Sequence, residues 1–501
     1  MIPKDPAQAA GSLPFGTAYL TNPLIRDTIV VPKSFTVQIP RPRGREERYI
    51  MNIMIVGCGK VGQTLAEQLN EDGNSITVID SRAEVVRDVS ARLDVMGFVG
   101  NGATHTLQQE AGIEKTDLLI AVTGSDELNL LCCLIAKKAG NCQTIARVKN
   151  PAYSSETGYL KDELGLAMVI NPEQAAATEI ARVLRFPSAI KIDTFAHGRV
   201  ELFKYKIPEG SILSGMAVKD VVSKLGCDVL VCTVERGDES YIANGNFVFA
   251  ERDIISVIAS PRNASEFFKA MGYRNRAVKD VMMVGGGETA QYLCSILHRS
   301  GIAMKIIEKN LKTCEYLSER FTDVRVIHGD AADQSILLEE GIRSAGAFVA
   351  LTGIDEENIF LSLFAKSAGH AKVVTKIHRI AFDDVIKHLD LDSTIYPKNI
   401  TADLILRYVR AMKNSEGGSM ETLYSVIPGE VEAAEYTVGE DSPVTDIPLM
   451  TMKKKPDILI AAIIRGGKVL IPRGSDVISA GDRVVVVTRA KAIDGIADIL
   501  L

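Results

Sequence analysis

The chain repeats itself at a period that no stacked solenoid uses. The segment GCGKVG at Gly57–Gly62 returns as GGGETA at Gly285–Ala290, and an acidic residue follows each at the same distance, Asp80 and Glu308, an offset of 228 residues. Further along the offset becomes 229. It holds there through Gly100 and Gly329, Gly112 and Gly341, Thr123 and Thr352, Asn129 and Asn358, Gly140 and Gly369, and Arg147 and Lys376. It still holds late in each copy, at Arg236 and Arg465, Gly245 and Gly474, and Asp253 and Asp482. A period this long marks duplication of a whole folding unit. For 501 residues, at about 150 residues per domain, the copies predict four domains, two large and two small. Two nucleotide-type motifs, with no segment left over for a large catalytic domain, point to sensing rather than turnover.

Each copy opens as alternating strands and helices. In the first, NIMIVG (Asn52–Gly57), ITVID (Ile76–Asp80), VMGFVG (Val95–Gly100), LLIAVT (Leu118–Thr123), TIARV (Thr144–Val148) and MVINPE (Met168–Glu173) read as strands. Helices are expected around Lys60–Asp72 and Arg82–Leu93, and one through Gln174–Leu184 leaves the sheet. Strands separated by helices of this length imply a doubly wound parallel sheet. The stretch Ile190–Ser260 differs: ELFKYKI, DVLVCTV and FVFAERDIISVIA read as short strands around one helix, Val218–Leu225, with Arg236–Gly245 a polar hairpin loop. The fold class is therefore α/β, two Rossmann-like doubly wound parallel-sheet domains, each followed by a small α+β lobe. The expected bounds are 51–186 and 187–274 for the first copy, 278–412 and 418–501 for the second. Breaks are expected at Pro187 and at the flexible SEGGS of Ser415–Ser419.

Composition narrows the function classes. A net charge of −6 argues against a general nucleic-acid binder, which carries a basic face. The eight cysteines show no zinc spacing, and the adjacent Cys132 and Cys133 sit in an apolar helix, where thiols behave as small hydrophobes. That usage suits a reducing cytoplasm. Apolar runs are strand-length and none reaches the roughly 18 residues of a membrane span, so a soluble protein able to dock on a membrane partner is expected. Residues 1–50 lie outside the repeat and hold no signal-peptide core. They are expected to be a disordered tail or a start assigned too early, with Met51, directly before the first strand, as the native initiator.

A GxGxxG run carries information only in context: a strand before it, a helix after it, and an acidic residue about 20 positions on. Gly57–Gly62 has all three. Gly57 permits the tight turn, Gly59 lets backbone approach a pyrophosphate, and Gly62 lets helix pack against strand. The helix N-terminus offers free N–H groups to phosphate, and Asp80 can accept hydrogen bonds from ribose hydroxyls. Asp80 would repel a 2′-phosphate by about 4 kcal/mol at about 4 Å and an effective dielectric near 20. This favours NAD(H), with ATP or ADP close behind, although Arg82 and, in the second copy, Lys309 could accommodate that phosphate. Arg147 and Lys376 end the fifth strands, where a cation reaches phosphate, and Thr123-Gly124 and Thr352-Gly353 end the fourth. The seven histidines fall at no matching positions; His105 and His328 lie near the third-strand ends without equivalence. There is no nucleophile elbow, no Walker loop and no metal constellation.

The segments MNIMIVGCGKVG (Met51–Gly62), ITVID (Ile76–Asp80), GNGAT (Gly100–Thr104), TGSDELN (Thr123–Asn129) and ARVKNPAY (Ala146–Tyr153) resemble the RCK domains of the TrkA family, regulatory subunits of Trk potassium uptake systems. GDRVVVV (Gly481–Val487) resembles the family's C-terminal domain. The likeness covers residues 51–501. It implies a cytoplasmic homo-oligomeric ring, peripheral at the inner face of the cell membrane, under a TrkH/TrkG-like potassium transporter that nucleotide binding gates, with no catalysis and no metal. The implied contacts are Gly57, Cys58, Gly59, Lys60, Val61, Gly62, Asp80, Thr123, Gly124 and Arg147 in the first copy. In the second they are Gly285, Gly286, Gly287, Glu288, Thr289, Glu308, Thr352, Gly353 and Lys376. Ala290 for the third glycine and Lys376 for the arginine put the second site's affinity and ligand in question. The alternatives are an NAD-dependent dehydrogenase and an RCK regulator of potassium efflux or antiport.

Overall fold

The computed structural model describes residues 50–501 except 151–152, 154–155, 186–188, 273–277, 370, 379–384, 387–388, 390, 415–419, 428, 490–492 and 494. The expected tail at 1–49, the break at Pro187 and the SEGGS linker lie outside the described residues.

The first large domain is a six-stranded parallel sheet. Its strands are β1 (Asn52–Val56), β2 (Ser75–Asp80), β3 (Met96–Val99), β4 (Leu118–Ala121), β5 (Gln143–Arg147) and β6 (Met168–Ile170), in the spatial order β3-β2-β1-β4-β5-β6. Its helices are α1 (Lys60–Glu71), α2 (Ala83–Arg92), α3 (His105–Glu110), α4 (Asp126–Ala139), α5 (Thr157–Leu164) and α6 (Pro172–Arg185). The central strands are buried on both faces, which is why β1 and β4 read as unbroken apolar runs. The first lobe follows as β7 (Lys191–Phe195), β8 (Val200–Lys206), α7 (Val221–Leu225), β9 (Val229–Arg236), β10 (Glu239–Ile242), β11 (Ile254–Ala259) and α8 (Pro261–Ala270), an antiparallel sheet ordered β10-β9-β11-β8-β7.

The second copy rebuilds both. Its parallel sheet has β12 (Asp280–Val284), β13 (Ala303–Glu308), β14 (Val324–His328), β15 (Ala347–Ala350), β16 (Lys372–Lys376) and β17 (Ser393–Ile395), ordered β14-β13-β12-β15-β16-β17. The helices are α9 (Glu288–Leu297), α10 (Leu311–Arg320), α11 (Gln334–Glu339), α12 (Asp355–Ala368) and α13 (Pro397–Asn414). The second lobe has β18 (Met420–Ile427), β19 (Val431–Thr437), β20 (Ile458–Arg465), β21 (Lys468–Leu470) and β22 (Arg483–Thr488), ordered β18-β19-β22-β20-β21, which is the first lobe's order read from its other edge.

Three readings need correction. The sixth strand, expected at Met168–Glu173, ends at Ile170, and Pro172 and Glu173 open α6, since proline suits the first helical turn. The Arg236–Gly245 loop contains the edge strand β10, joined to β9 through Gly237-Asp238 with Gly237 at φ 60°. FVFA at Phe247–Ala250 forms no strand and contributes only a bridge from Val248 to Ala217.

The helix expected to leave the first sheet does so, and its destination is the other copy. Ala176, Ala177, Ile180, Val183 and Leu184 of α6 share one core with Ala290, Leu293 and Leu297 of α9. Reciprocally, Ala402, Ile405, Leu406 and Val409 of α13 share the first sheet's core with Val61, Leu65 and Leu69 of α1. Small residues let the helix pairs approach closely. The lobes pack sheet on sheet, Val200, Leu202 and Cys232 against Val431, Ala461 and Val485. The matched pairs Arg236–Asp253 and Arg465–Asp482 are equivalent two-pronged ion pairs, each with N–O distances of 2.8 and 2.7 Å.

Candidate functional site

In each sheet the strand order reverses between the first and fourth strands, β1 and β4 in one copy and β12 and β15 in the other, the place where open α/β sheets bind ligands, and in the first copy a cleft opens there beyond the carboxyl ends. Gly57 turns out of β1 at φ 98°, where a Cβ would lie 2.8 Å from the Thr123 nitrogen. A Cβ on Gly62 would lie 1.9 Å from the Gly57 carbonyl oxygen, so α1 can start this close only on glycine. A Cβ on Gly59 would meet nothing within 4 Å; that side of the turn is open. Asp80 ends β2 and reaches back: one carboxylate oxygen accepts the Cys58 N–H at 2.7 Å, the other the Arg82 N–H at 3.0 Å and its Nε at 3.1 Å. Burial pushes the Asp80 carboxyl up, but the hydrogen bonds from Arg82 and Cys58 outweigh it and hold the group below its ordinary value, ionised at neutral pH. Burial together with the Asp80 charge pushes the Cys58 thiol up to about 12, which keeps it protonated at neutral pH.

Across the crevice, β4 and β5 are tied together by one buried side chain. Asn129 accepts the Thr123 N–H at 2.8 Å and its hydroxyl at 2.7 Å, and donates to the Arg147 carbonyl at 2.8 Å. In the second copy Asn358 likewise accepts the Thr352 N–H at 2.9 Å and donates to the Lys376 carbonyl at 3.0 Å, but it donates to the Thr352 carbonyl at 3.1 Å while the Thr352 hydroxyl donates to the Ile354 carbonyl. The Arg147 Nε is shielded from solvent and has no hydrogen-bond partner among the described residues. A buried guanidinium donor without an acceptor is costly, and an anionic ligand in the crevice would supply one.

The first crevice is a cleft of about 1040 Å³ lined by both copies. Gly57, Gly59, Lys60, Val61, Asp80, Thr123, Gly124 and Arg147 line it; Cys58 and Gly62 stand behind its wall, contributing backbone and packing. Gly353, Asp355, Glu356, His378 and Lys398 complete it from the second copy. The remaining second-copy candidates, Gly285, Gly286, Gly287, Glu288, Thr289, Glu308, Thr352 and Lys376, belong to the second sheet's turn and strand ends. Glu308 plays the part of Asp80, accepting the Gly286 N–H at 2.7 Å and the Asn310 N–H at 2.7 Å. Gly286 stands where the first copy has Cys58, and a Cβ there would lie 2.5 Å from a Leu317 methyl. The first copy carries the smaller Val89 at that helix position, so the two swaps compensate in volume. The third-glycine position is Ala290, fully buried, so α9 must stand off the turn by the space of a methyl.

The sequence reading passed over Asn129 and Asn358 as site residues, although both recur in the repeat, and passed over the crossing-helix residues Glu173 and Lys398. Each of the latter follows a proline, Pro172 or Pro397, that opens its helix after a short strand, which is the signal that would have found them. His328, set aside as a catalytic candidate, holds the Lys309 carbonyl at 3.2 Å on the exposed rim.

The chain matches the TrkA-N domain family at residues 53–172 and 281–397 and the TrkA-C domain family at 202–272 and 433–501. It is 32% identical to the Trk system potassium uptake protein TrkA of Halomonas elongata, over 87% of this chain and 95% of that protein. It is 31% identical to the TrkA homolog 1 of Methanosarcina mazei, over 88% of this chain and 98% of the other. Among solved structures it resembles the GsuK channel bound to NAD, at a TM-score of 0.58 and 16% identity, covering 89% of this chain and 78% of the other. The GsuK RCK domain matches at the same TM-score and identity, covering 94% of that chain. At this identity the likeness is one of fold.

Proposed function

The chain belongs to the TrkA family, and from that premise we propose that it is the nucleotide-sensing regulatory subunit of a Trk potassium uptake system. In this reading it assembles as a cytoplasmic ring beneath a TrkH/TrkG-like transporter, and NAD(H), ATP or ADP binding shifts the ring between conformations that open and close the pore. No helix among the described residues is long and apolar enough to cross a membrane, so the pore would be the partner's.

The observation that carries the reading is the pairing of an ionised Asp80 beside the open Gly59 turn with the unpartnered Arg147 Nε of the same cleft. The carboxylate suits ribose hydroxyls, and the guanidinium and the α1 N-terminus suit phosphate. Arg82 now holds Asp80 and would have to release it, or share it, when ribose enters. A dehydrogenase would need a substrate domain over the nicotinamide, whereas the two lobes turn their sheets against one another. Efflux regulation has less support, because the relatives carry uptake names.

The test is calorimetric titration of the full chain with NADH, NAD, ATP and ADP. Binding without turnover is expected, weakened roughly tenfold or more in Asp80→Ala, the loss of one or two charge-assisted hydrogen bonds. Unchanged affinity in that variant would mean that the ligand sits elsewhere.

A further inference from the structure

The two Gly-rich turns descend from one ancestor but carry opposite charge where a phosphate would lie. At the first helical position after the Gly-rich turn the first copy has Lys60 and the second has Glu288. The helix N-terminus of α9 therefore begins with its own anion, and its free N–H groups and partial positive charge already have a carboxylate nearby. A second carboxylate arrives from the other copy. Glu173, the second residue of α6, accepts a hydrogen bond from the Thr289 hydroxyl of α9 at 2.6 Å, with Thr289 almost fully buried.

The cation of each site reports the same difference. Arg147 has a buried nitrogen with no acceptor among the described residues. Its counterpart Lys376 is buried, 6% exposed. Burial pushes the Lys376 ammonium below its ordinary value, against the opposing pull of Glu173, Asp355 and Glu288; Glu173 and Asp355 also line the first cleft, so Glu288 is the carboxylate that sets the second site apart. The same crossing-helix position that delivers Glu173 to the second copy delivers Lys398 to the first, where it lines the cleft.

We propose that the two clefts are not equivalent: the first takes the pyrophosphate of an adenine nucleotide, with Lys398 supplied from the second copy, and the second is occupied by Glu288 and Glu173 in the phosphate's place and excludes polyphosphate. This rests on reading the first cleft as a nucleotide site. It also gives the duplication a division of labour. Glu173 and its neighbour Pro172 line the first cleft, and Glu173 is bonded to the helix that opens the second copy, so a ligand entering the first cleft meets a residue that is already holding α9. Asn171 and the Lys149 carbonyl, hydrogen-bonded to Tyr292 at 2.8 and 3.2 Å, tie the same strand ends to the same helix.

The experiment is equilibrium dialysis of the full-length protein against NADH, counting ligand per chain at saturation, for wild type, Asp80→Ala, Lys60→Glu and the double variant Glu173→Gln/Glu288→Lys. The expected result is one NADH per chain, weakened roughly tenfold or more in Asp80→Ala and in Lys60→Glu, and a second NADH per chain in the double variant. Two per chain in wild type would overturn the proposal while leaving the nucleotide reading intact. So would one per chain that Asp80→Ala leaves in place, since the ligand would then sit in the second cleft, and so would a folded double variant that gains nothing. No binding at all would overturn the nucleotide reading and this proposal with it. Thermal denaturation checks that the double variant folds; should it not, the wild-type count and the Lys60→Glu loss decide the matter.

Discussion

Asn129 shows how a residue can matter to a ligand without touching one. It is completely buried and spends its amide on the Thr123 backbone and hydroxyl and on the Arg147 carbonyl, so it sets the distance between the two strand ends that face each other across the cleft. Asn129→Ala leaves an N–H and a carbonyl unpaired in the interior and should cost about 2–3 kcal/mol of stability, measured by urea denaturation, with NADH affinity falling in step as Arg147 loses its fixed place. Full affinity in a destabilised variant would show that the strand ends are held by other means. The sequence made the fingerprint residues legible, because Gly57, Gly59 and Asp80 answer steric and electrostatic demands of a known turn. It did not display Asn129, whose role consists of backbone bonds between segments far apart in the chain, nor Glu173 and Lys398, whose chemistry depends on which copy they reach.

At the level of elements, the central strands β1 and β4 were legible to within a residue or two, since a strand covered on both faces must be apolar throughout. The polar edge strand β10 was not, because an edge with one solvated side shows no such run. The destination of α6 was equally hidden: an alanine stripe declares that a helix is buried, not what buries it. Where the chain emerges from that helix, Lys372 at the start of β16 donates its ammonium to the Ala189 carbonyl at 2.8 Å. Burial pushes this lysine down to about 8, with Asp392 opposing and Lys366 adding to the shift. Between that value and about 10.4, the ordinary lysine value, the folded chain binds fewer protons than the unfolded one, so stability rises with pH across the window, and below it the buried charge is a standing cost. Wild type should therefore gain about 2 kcal/mol relative to Lys372→Met as pH climbs from 8 to 10. Denaturation curves for the two proteins that stay parallel over that range would mean the ammonium is solvated.

For the whole molecule, duplication in one chain does what a dimer of single-copy units would do, with the exchanged helices α6 and α13 and the facing lobe sheets fusing the copies into one body. A closed ring built from such pseudo-symmetric units would use the same face of each copy. One pair of residues is placed for that. Leu131 on α4 and Phe360 on α12 occupy the same position in the repeat, and both are left in solvent, at 46% and 72% exposure. Large apolar side chains exposed at a repeated position suit an interface, and burying such side chains contributes about 1.5–3 kcal/mol each. If the chain forms the proposed ring through this face, Leu131→Asp/Phe360→Asp should shift sedimentation from ring toward single chains while leaving the thermal stability of the chain nearly unchanged, because neither side chain is part of a core. If the double variant sediments as wild type does, the ring closes through another face. If it dissociates, the variant also isolates the nucleotide response of one chain. Several sites in a ring can add coupling of about 1–3 kcal/mol each toward the roughly 5.5 kcal/mol that a nearly complete switch needs. If the proposed ring forms, the single chain, with one loaded cleft, should then bind NADH less steeply than the ring does.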